Sequence, residues 1–250
     1  MRATVGLRSV VAMLCTIAWV QLPTIAGSPP FAIAQGNPGS ARDQALTAYA
    51  SGNADLRRGE LKAASRDLSR AIASEKLFFA TLGTERRQGE SSYFIEYLTL
   101  AGVANHRLGQ HALAFVRWNA ARELYLLYLP RLDRRFAAAD ALVERHRCGE
   151  AFGAYSASFV PRDPAVLSVL RAGRAGRWTE AKAADATMRG TPQGDYFAGV
   201  IAICTHASKR TAEAALVTAL ADYAPTTSET PNVGPLQASA IRLLGQFSTH

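Results

Sequence analysis

Apolar residues recur at spacings of three and four along most of the chain beyond residue 40, which is the period of one helix face. The sequence contains no alternating run of β-branched and aromatic residues bounded by Asn-Gly or Asp-Gly turns. The pattern therefore predicts an all-α fold. Asp163 and Pro164 supply a cap and a first-turn proline, so a helix is expected to begin there. The helices are predicted at about 40–53, 59–74, 93–107, 110–128, 131–147, 165–174, 178–189, 195–206, 209–223 and 236–247.

Two of the predicted helix pairs share one series of spacings. The matching positions are Gly52, Gly59, Ala64, Leu68 and Ala71 in the first pair and Gly102, Gly109, Ala114, Trp118 and Ala121 in the second. Small residues at the crossing points allow two helix backbones to approach closely, and a glycine in the turn can adopt positive φ. Leu68 and Trp118 are then expected to fill the space between neighbouring pairs.

This arrangement resembles the tetratricopeptide repeat, which implies antiparallel helix pairs stacked as a right-handed solenoid. The two copies start 50 residues apart, whereas the family repeats every 34 or so. Phe78–Ser92 is therefore the predicted insertion after the first pair. A third copy is degenerate, because Gly176, Trp178 and Ala181 match the turn and the second helix while Asp185 stands where a large apolar residue belongs.

The resemblance also implies a concave groove, lined by the first helix of each pair, that receives a protein or peptide. The groove-facing positions would be Tyr49, Asn53, Leu56 and Arg57 from one pair and Thr99, Val103, His106 and Arg107 from the next. Arg57 and Arg107 would pair with carboxylates if the partner is acidic. The alternative is that both arginines are only solvated.

The first residues are typical of a secretory signal peptide. Arg2 and Arg8 make a positive start, Val10–Leu22 is almost entirely apolar, and Pro23 ends it. A membrane anchor is the rival interpretation, but a spanning helix needs roughly 20 apolar residues, and this run is shorter. The protein is therefore predicted to be exported, periplasmic or secreted, with cleavage near Ala34.

Four segments follow from these patterns. They are a signal peptide at 1–34, tetratricopeptide-like helical repeats at 35–130, degenerate helical repeats at 131–224, and a loop with a terminal helix at 225–250. Beyond the signal peptide the chain has two cysteines, Cys148 and Cys204. An even number in an oxidising compartment makes them a candidate disulfide. Two separate buried thiols are the alternative.

The formal net charge of +8 favours an anionic partner. The arginines are scattered, and no basic block interleaves with aromatic residues, so nucleic acid is not expected as a partner. Acidic proteins, cell-wall polymers and lipid headgroups outside the cytosol fit better. Membrane contact is expected only as a peripheral one.

Catalytic and metal-binding motifs are missing from the sequence. No Gly-x-Ser-x-Gly, His-Glu-x-x-His or phosphate-binding glycine loop is present. His106 and His111 are five residues apart and are predicted not to share a face. Possible metal ligands occupy alternate positions in one segment, but their spacing is not that of a zinc site. These residues are Glu144, His146, Cys148 and Glu150. No catalytic residue, metal or cofactor is therefore predicted, and Trp118 and Trp178 are interpreted as packing residues.

The sequence thus favours an exported helical-repeat scaffold that binds a protein or peptide and catalyses no reaction. Two alternatives stay open. One is an α/α enzyme acting on cell-envelope polysaccharide, which would need a pair of carboxylates in a cleft. The other is an envelope structural protein whose basic surface binds anionic polymers or lipids.

Overall fold

The computed structural model describes residues 38–158, 163–223 and 233–249, and within these ranges the chain forms twelve α-helices and no strands. The all-α prediction is confirmed. The helices are α1 Pro38–Arg58, α2 Leu61–Ala80, α3 Thr84–Arg107, α4 His111–Tyr128, α5 Pro130–Arg134, α6 Ala137–Glu144, α7 Cys148–Ser158, α8 Pro164–Arg174, α9 Trp178–Ala186, α10 Pro192–Cys204, α11 Lys209–Asp222 and α12 Pro235–Gly245, followed by a 3₁₀ turn at Gln246–Thr249. The predicted signal peptide and most of the loop predicted after residue 224 lie outside the described residues.

Ten of these helices pack as five adjacent pairs: α1 with α2, α3 with α4, α6 with α7, α8 with α9, and α10 with α11. One residue in each connecting turn has positive φ. These residues are Gly59, Gly109, His146, Gly176 and His206. In the second pair, the amide of Gly109 donates to the carbonyl of His106 and the next amide donates to Asn105, both at 2.9 Å. The other four turns repeat this hydrogen-bond pattern, which closes a helix end with a left-handed residue.

Histidine takes the place of glycine in two of the turns, and the one at His146 was missed, whereas the turn at His206 lies between the helices predicted at 195–206 and 209–223. The segment 131–147 was predicted as a single helix, whereas the structure divides it into α5, α6 and the turn at His146. Helix α7, which follows this turn, was not predicted at all. Left-handed backbone costs a residue with a side chain roughly 1–2 kcal/mol, so the missing glycine removed the usual sequence signal for a turn.

The predicted insertion at Phe78–Ser92 is mostly helical. Helix α2 continues to Ala80 and α3 begins at Thr84, so the extra residues lengthen two helices and do not form a separate loop. Phe79 anchors this region, because its ring packs edge-on against Phe94 at 5.6 Å and Tyr128 at 5.7 Å. The helix predicted to begin at Asp163–Pro164 is confirmed, and the Asp163 carboxylate accepts a hydrogen bond from the amide of Ala165 at 2.8 Å.

The two glycines at the predicted crossing points lie directly against the large residue of the second helix. A Cβ on Gly52 would approach Leu68 Cγ to 2.8 Å, and a Cβ on Gly102 would approach Trp118 Nε1 to 2.2 Å. The Trp118 ring is 1% exposed, and its indole N–H donates to the carbonyl of Thr99 at 3.2 Å. Trp118 is therefore a core residue that fixes the distance between α3 and α4.

Helix α12 is buried on all sides. Every side chain from Leu236 to Leu244 is buried, and the helix packs against α4, α5, α6, α10 and α11. Arg242 pairs within the core with Asp140 and, at 2.8 Å, with Asp133. The hydroxyl groups of Tyr155 and Ser239 also donate to the Asp140 carboxylate, at 2.6 and 2.7 Å. This polar network fixes α12 between the amino-terminal and carboxy-terminal helices.

These contacts differ from those of a simple solenoid, in which each repeat touches only its neighbours. Here α3 packs against α11 and α4 packs against α12. The predicted solenoid is therefore not confirmed, although the predicted pairing of adjacent helices is. Among the described residues, no helix combines the length and apolar character that crossing a membrane requires.

A disulfide joins Cys148, the first residue of α7, to Cys204, the last residue of α10, with the Cα atoms 5.7 Å apart. Each cysteine lies two residues from one of the turn histidines. The rings of His146 and His206 have their centroids 4.8 Å apart. The bond therefore ties the turn of the third helix pair to the turn of the fifth.

Candidate functional site

Five of the predicted groove residues are buried: Asn53 and Leu56, which line the cleft described below, and Tyr49, Thr99 and Val103. Tyr49 is 3% exposed, and Thr99 and Val103 are fully buried. The hydroxyl of Tyr49 donates to the Glu96 carboxylate, and that of Thr99 donates to the carbonyl of Ile95 at 2.8 Å. Helix α3 is covered on one side by its own pair and on another by α11. These three side chains therefore pack the interior and do not line an open surface, which corrects the groove inferred from the resemblance.

Four of the predicted residues meet in one cleft of about 510 Å³. Its lining consists of Asn53, Leu56 and Arg57 from α1, Arg107 from α3, Gly190 from the turn before α10, and Ala221 and Asp222 from α11. Arg57 and Arg107 are exposed, and each lies two residues before the glycine of its turn. The repeat thus places two equivalent guanidinium groups at one opening. Leu56 is buried and Ala221 half-buried, so part of the lining is apolar.

One acidic residue, Asp222 of α11, belongs to the lining of the cleft. Burial, and then interaction with the Asp222 carboxyl group, raises the pKa of Asp195 on α10 to about 6. Burial, then the negative charge of Asp195, raises the pKa of the neighbouring Asp185 to about 7, against an opposing effect of Arg189. The cleft lining therefore contains two guanidinium groups and one carboxyl group, that of Asp222.

The structure brings His106 and His111 together, contrary to the expectation that they would not share a face. The turn at Gly109 reverses the chain between them, and their ring centroids lie 4.6 Å apart. Nε2 of His106 also lies 2.8 Å from Oε1 of Glu213 on α11. Sequence spacing could not indicate Glu213, because it is 107 residues away from His106 and its proximity depends on how α11 packs against α3.

The alternating acidic and histidine cluster does not form a ligand set. Cys148 is bonded to Cys204, and Glu150 binds the guanidinium of Arg147 at 2.7 Å. Glu144 instead accepts a hydrogen bond from the Gln246 side chain at 3.1 Å.

Comparison of the chain with protein-family models, with curated proteins and with solved structures found no match.

Proposed function

We propose that this protein is an exported, tetratricopeptide-like helical-repeat protein that binds an acidic protein or peptide segment at the cleft lined by Arg57 and Arg107. The observation that carries the proposal is the convergence of two equivalent arginines from successive helix pairs on one opening. Their side chains are both exposed, so a partner can reach them without unfolding the core.

The chemistry of the cleft suits a short acidic segment with an apolar side chain. Two guanidinium groups can each bind a carboxylate through paired N–H donors. Leu56 and Ala221 contribute apolar surface to the same lining. Asp222 in the same lining repels a polymer with evenly spaced negative charges, whereas a peptide can place its carboxylates at the two arginines alone. An acidic peptide therefore suits the cleft better than a polysaccharide or a lipid surface.

The test measures the binding of acidic peptides to the purified protein by fluorescence anisotropy. It compares the wild type with a double variant that carries both Arg57→Ala and Arg107→Ala. Shielded arginine–carboxylate bonds contribute about 1.5–3 kcal/mol each, whereas exposed ion pairs contribute less than about 1 kcal/mol. We expect the double variant to bind at least about tenfold more weakly, which corresponds to about 1.4 kcal/mol. The difference should shrink as salt is added.

The matched control replaces Arg145 and Arg171, which are also exposed, with alanine. It removes the same total charge from surfaces remote in sequence from the cleft residues, so its affinity should stay close to that of the wild type. Equal losses in both double variants would mean that net charge, and not the cleft, attracts the peptide. Saturable binding to anionic vesicles with none to peptides would support the envelope structural alternative in its place.

Export is tested separately by sequencing the amino terminus of the protein recovered from outside the cytosol. We expect it to begin near Gln35, directly after the predicted cleavage site. Recovery of the chain from the membrane fraction with Met1 still present would contradict a cleaved signal peptide.

A further inference from the structure

A group of three potential metal ligands lies where the second helix pair meets α11. The ligand atoms of His106, His111 and Glu213 all lie within 4.8 Å of one another. The three residues come from the last turn of α3, the first residue of α4 and the amino-terminal half of α11. Two of them are joined by the 2.8 Å contact between Nε2 of His106 and Oε1 of Glu213.

The fold fixes these side chains on well-packed elements. His106 and Glu213 are both largely covered, with side-chain exposures of 15% and 13%. The His106 ring also packs against the buried Trp118 ring at a centroid distance of 5.8 Å. His111 is exposed, and the reversal at Gly109 holds it beside His106. Two fixed ligands and one accessible ligand leave the group open to an ion from solvent.

The donor set selects the class of metal. Two imidazole nitrogens and a carboxylate are the ligands of many zinc sites, whereas Ca²⁺ and Mg²⁺ prefer oxygen ligands alone. Around tetrahedral zinc, with bonds of about 2.0–2.1 Å, ligand atoms lie about 3.4 Å apart. The present separations extend from 2.8 Å for His106 and Glu213 to at most 4.8 Å within the group, so small side-chain rotations suffice.

A second histidine pair provides a comparison within the same chain. His146 and His206 have ring centroids 4.8 Å apart, nearly as close as His106 and His111. In the described part of the chain, however, only the group containing Glu213 brings three such ligands within reach of one ion. Three protein ligands, and not the closeness of two imidazoles, distinguish this site.

We infer that His106, His111 and Glu213 form a binding site for one Zn²⁺ ion, which would join the second helix pair to α11. Three protein ligands leave one tetrahedral position for water or for a group of another molecule. The site does not depend on the proposed peptide cleft, and its test needs no partner.

The experiment titrates chelator-treated, disulfide-intact protein with Zn²⁺ in a calorimeter, after a free-thiol assay has shown that Cys148 and Cys204 remain bonded. We expect one Zn²⁺ to bind per chain, and the melting temperature to rise with zinc because the ion binds the folded state. His111→Ala should weaken binding at least about tenfold, since even residues that only support a ligand contribute about 10- to 100-fold. Glu213→Gln should weaken binding similarly.

The control replaces His146 and His206 with alanine and should bind Zn²⁺ like the wild type. His111 is exposed, so His111→Ala keeps the test decisive even if Glu213→Gln fails to fold. Co²⁺ in place of Zn²⁺ should give the intense visible absorption of a tetrahedral site in the wild type and the control, but not in His111→Ala. Equal affinity in His111→Ala and the wild type, or loss of binding in the control alone, would overturn the inference.

Discussion

The close contact between Gly102 and Trp118 can be tested by adding a single methyl group. A Cβ at position 102 would lie 2.2, 2.6 and 2.8 Å from Nε1, Cδ1 and Cε2 of the Trp118 ring. The ring cannot withdraw easily, because it is 1% exposed and its N–H is bonded to the carbonyl of Thr99. Overpacking of this kind costs about 1–3 kcal/mol, which exceeds the gain of up to about 1 kcal/mol when alanine replaces glycine in a helix. We expect Gly102→Ala to lower the free energy of unfolding by about 1–2 kcal/mol.

A double-mutant cycle isolates this contact from other effects. Trp118→Ala alone should cost about 3–5 kcal/mol, the usual range for emptying a large aromatic from a core. In that background the new methyl at position 102 enters vacated space, so Gly102→Ala should become neutral or stabilising. The coupling energy between the two sites is then about 1–3 kcal/mol, within the range for residues in contact.

The assay is urea unfolding of all four proteins, followed by far-ultraviolet circular dichroism. Gly89→Ala is the matched control, because Gly89 lies in the same helix, is exposed, and a Cβ there would meet no atom within 4 Å. It should stabilise the protein by about 0.5–1 kcal/mol. If Gly102→Ala stabilises the wild type as much as Gly89→Ala does, the close packing of α3 against Trp118 is refuted.

Two further predictions concern the cross-links of the fold. Replacing Cys148 and Cys204 together with serine should lower the free energy of unfolding by about 4 kcal/mol on the chain-entropy estimate, given a sequence separation of 56 residues; unchanged urea stability would contradict this. Arg242→Met leaves Asp133 and Asp140 without their buried cation and should cost about 3–5 kcal/mol at pH 8. Burial raises the pKa of Asp140 to about 6, so at pH 4 its carboxyl group is protonated and needs no counter-charge, and the loss should be smaller there; an equal loss at both pH values would argue against this pairing.

The sequence was informative wherever glycine marked a turn. Gly59, Gly109 and Gly176 are recognisable because their missing side chain matches the positive φ that a helix reversal needs. The same physics hid the turn at His146, where a less favourable residue adopts the same backbone and the hydrogen bonds of the turn offset its cost. Helix α7 was missed for this reason alone.

The candidate sites could be predicted only in part, because they depend on how distant helices meet. Arg57 and Arg107 share a repeat position, so the sequence could place them together. Nothing local indicated that α12 would be buried in the core or that α11 would contact α3. Glu213 and Asp222 reach their sites through these long-range contacts, which sequence periodicity does not encode.

Asp185 is a buried carboxyl group at a repeat position that holds a large apolar residue in the first two pairs. It yields a pH-dependent prediction. It lies nine residues after its turn glycine, the position that Leu68 and Trp118 occupy in the first two pairs, and it is 7% exposed. Burial raises its pKa to about 7, above the value of about 3.9 expected in an unfolded chain. A raised folded pKa means that the folded state binds the extra proton. The contribution to stability is therefore full below about pH 4 and is lost as the pH rises through about 7.

Asp185→Asn keeps the shape of the protonated side chain and removes its charge at every pH. Because one pKa unit corresponds to about 1.36 kcal/mol, and water reaching the carboxyl reduces the full effect, we expect the variant to be more stable than the wild type by roughly 2 kcal/mol at pH 8. The difference should disappear near pH 4, where the wild-type carboxyl is neutral too. Glu180→Gln on the exposed face of the same helix should show no such dependence. Urea unfolding at pH 4, 6 and 8 measures all three proteins. If Asp185→Asn is less stable than the wild type at pH 8, then the fold stabilises the Asp185 carboxylate, and Arg189 contributes more to its environment than burial does.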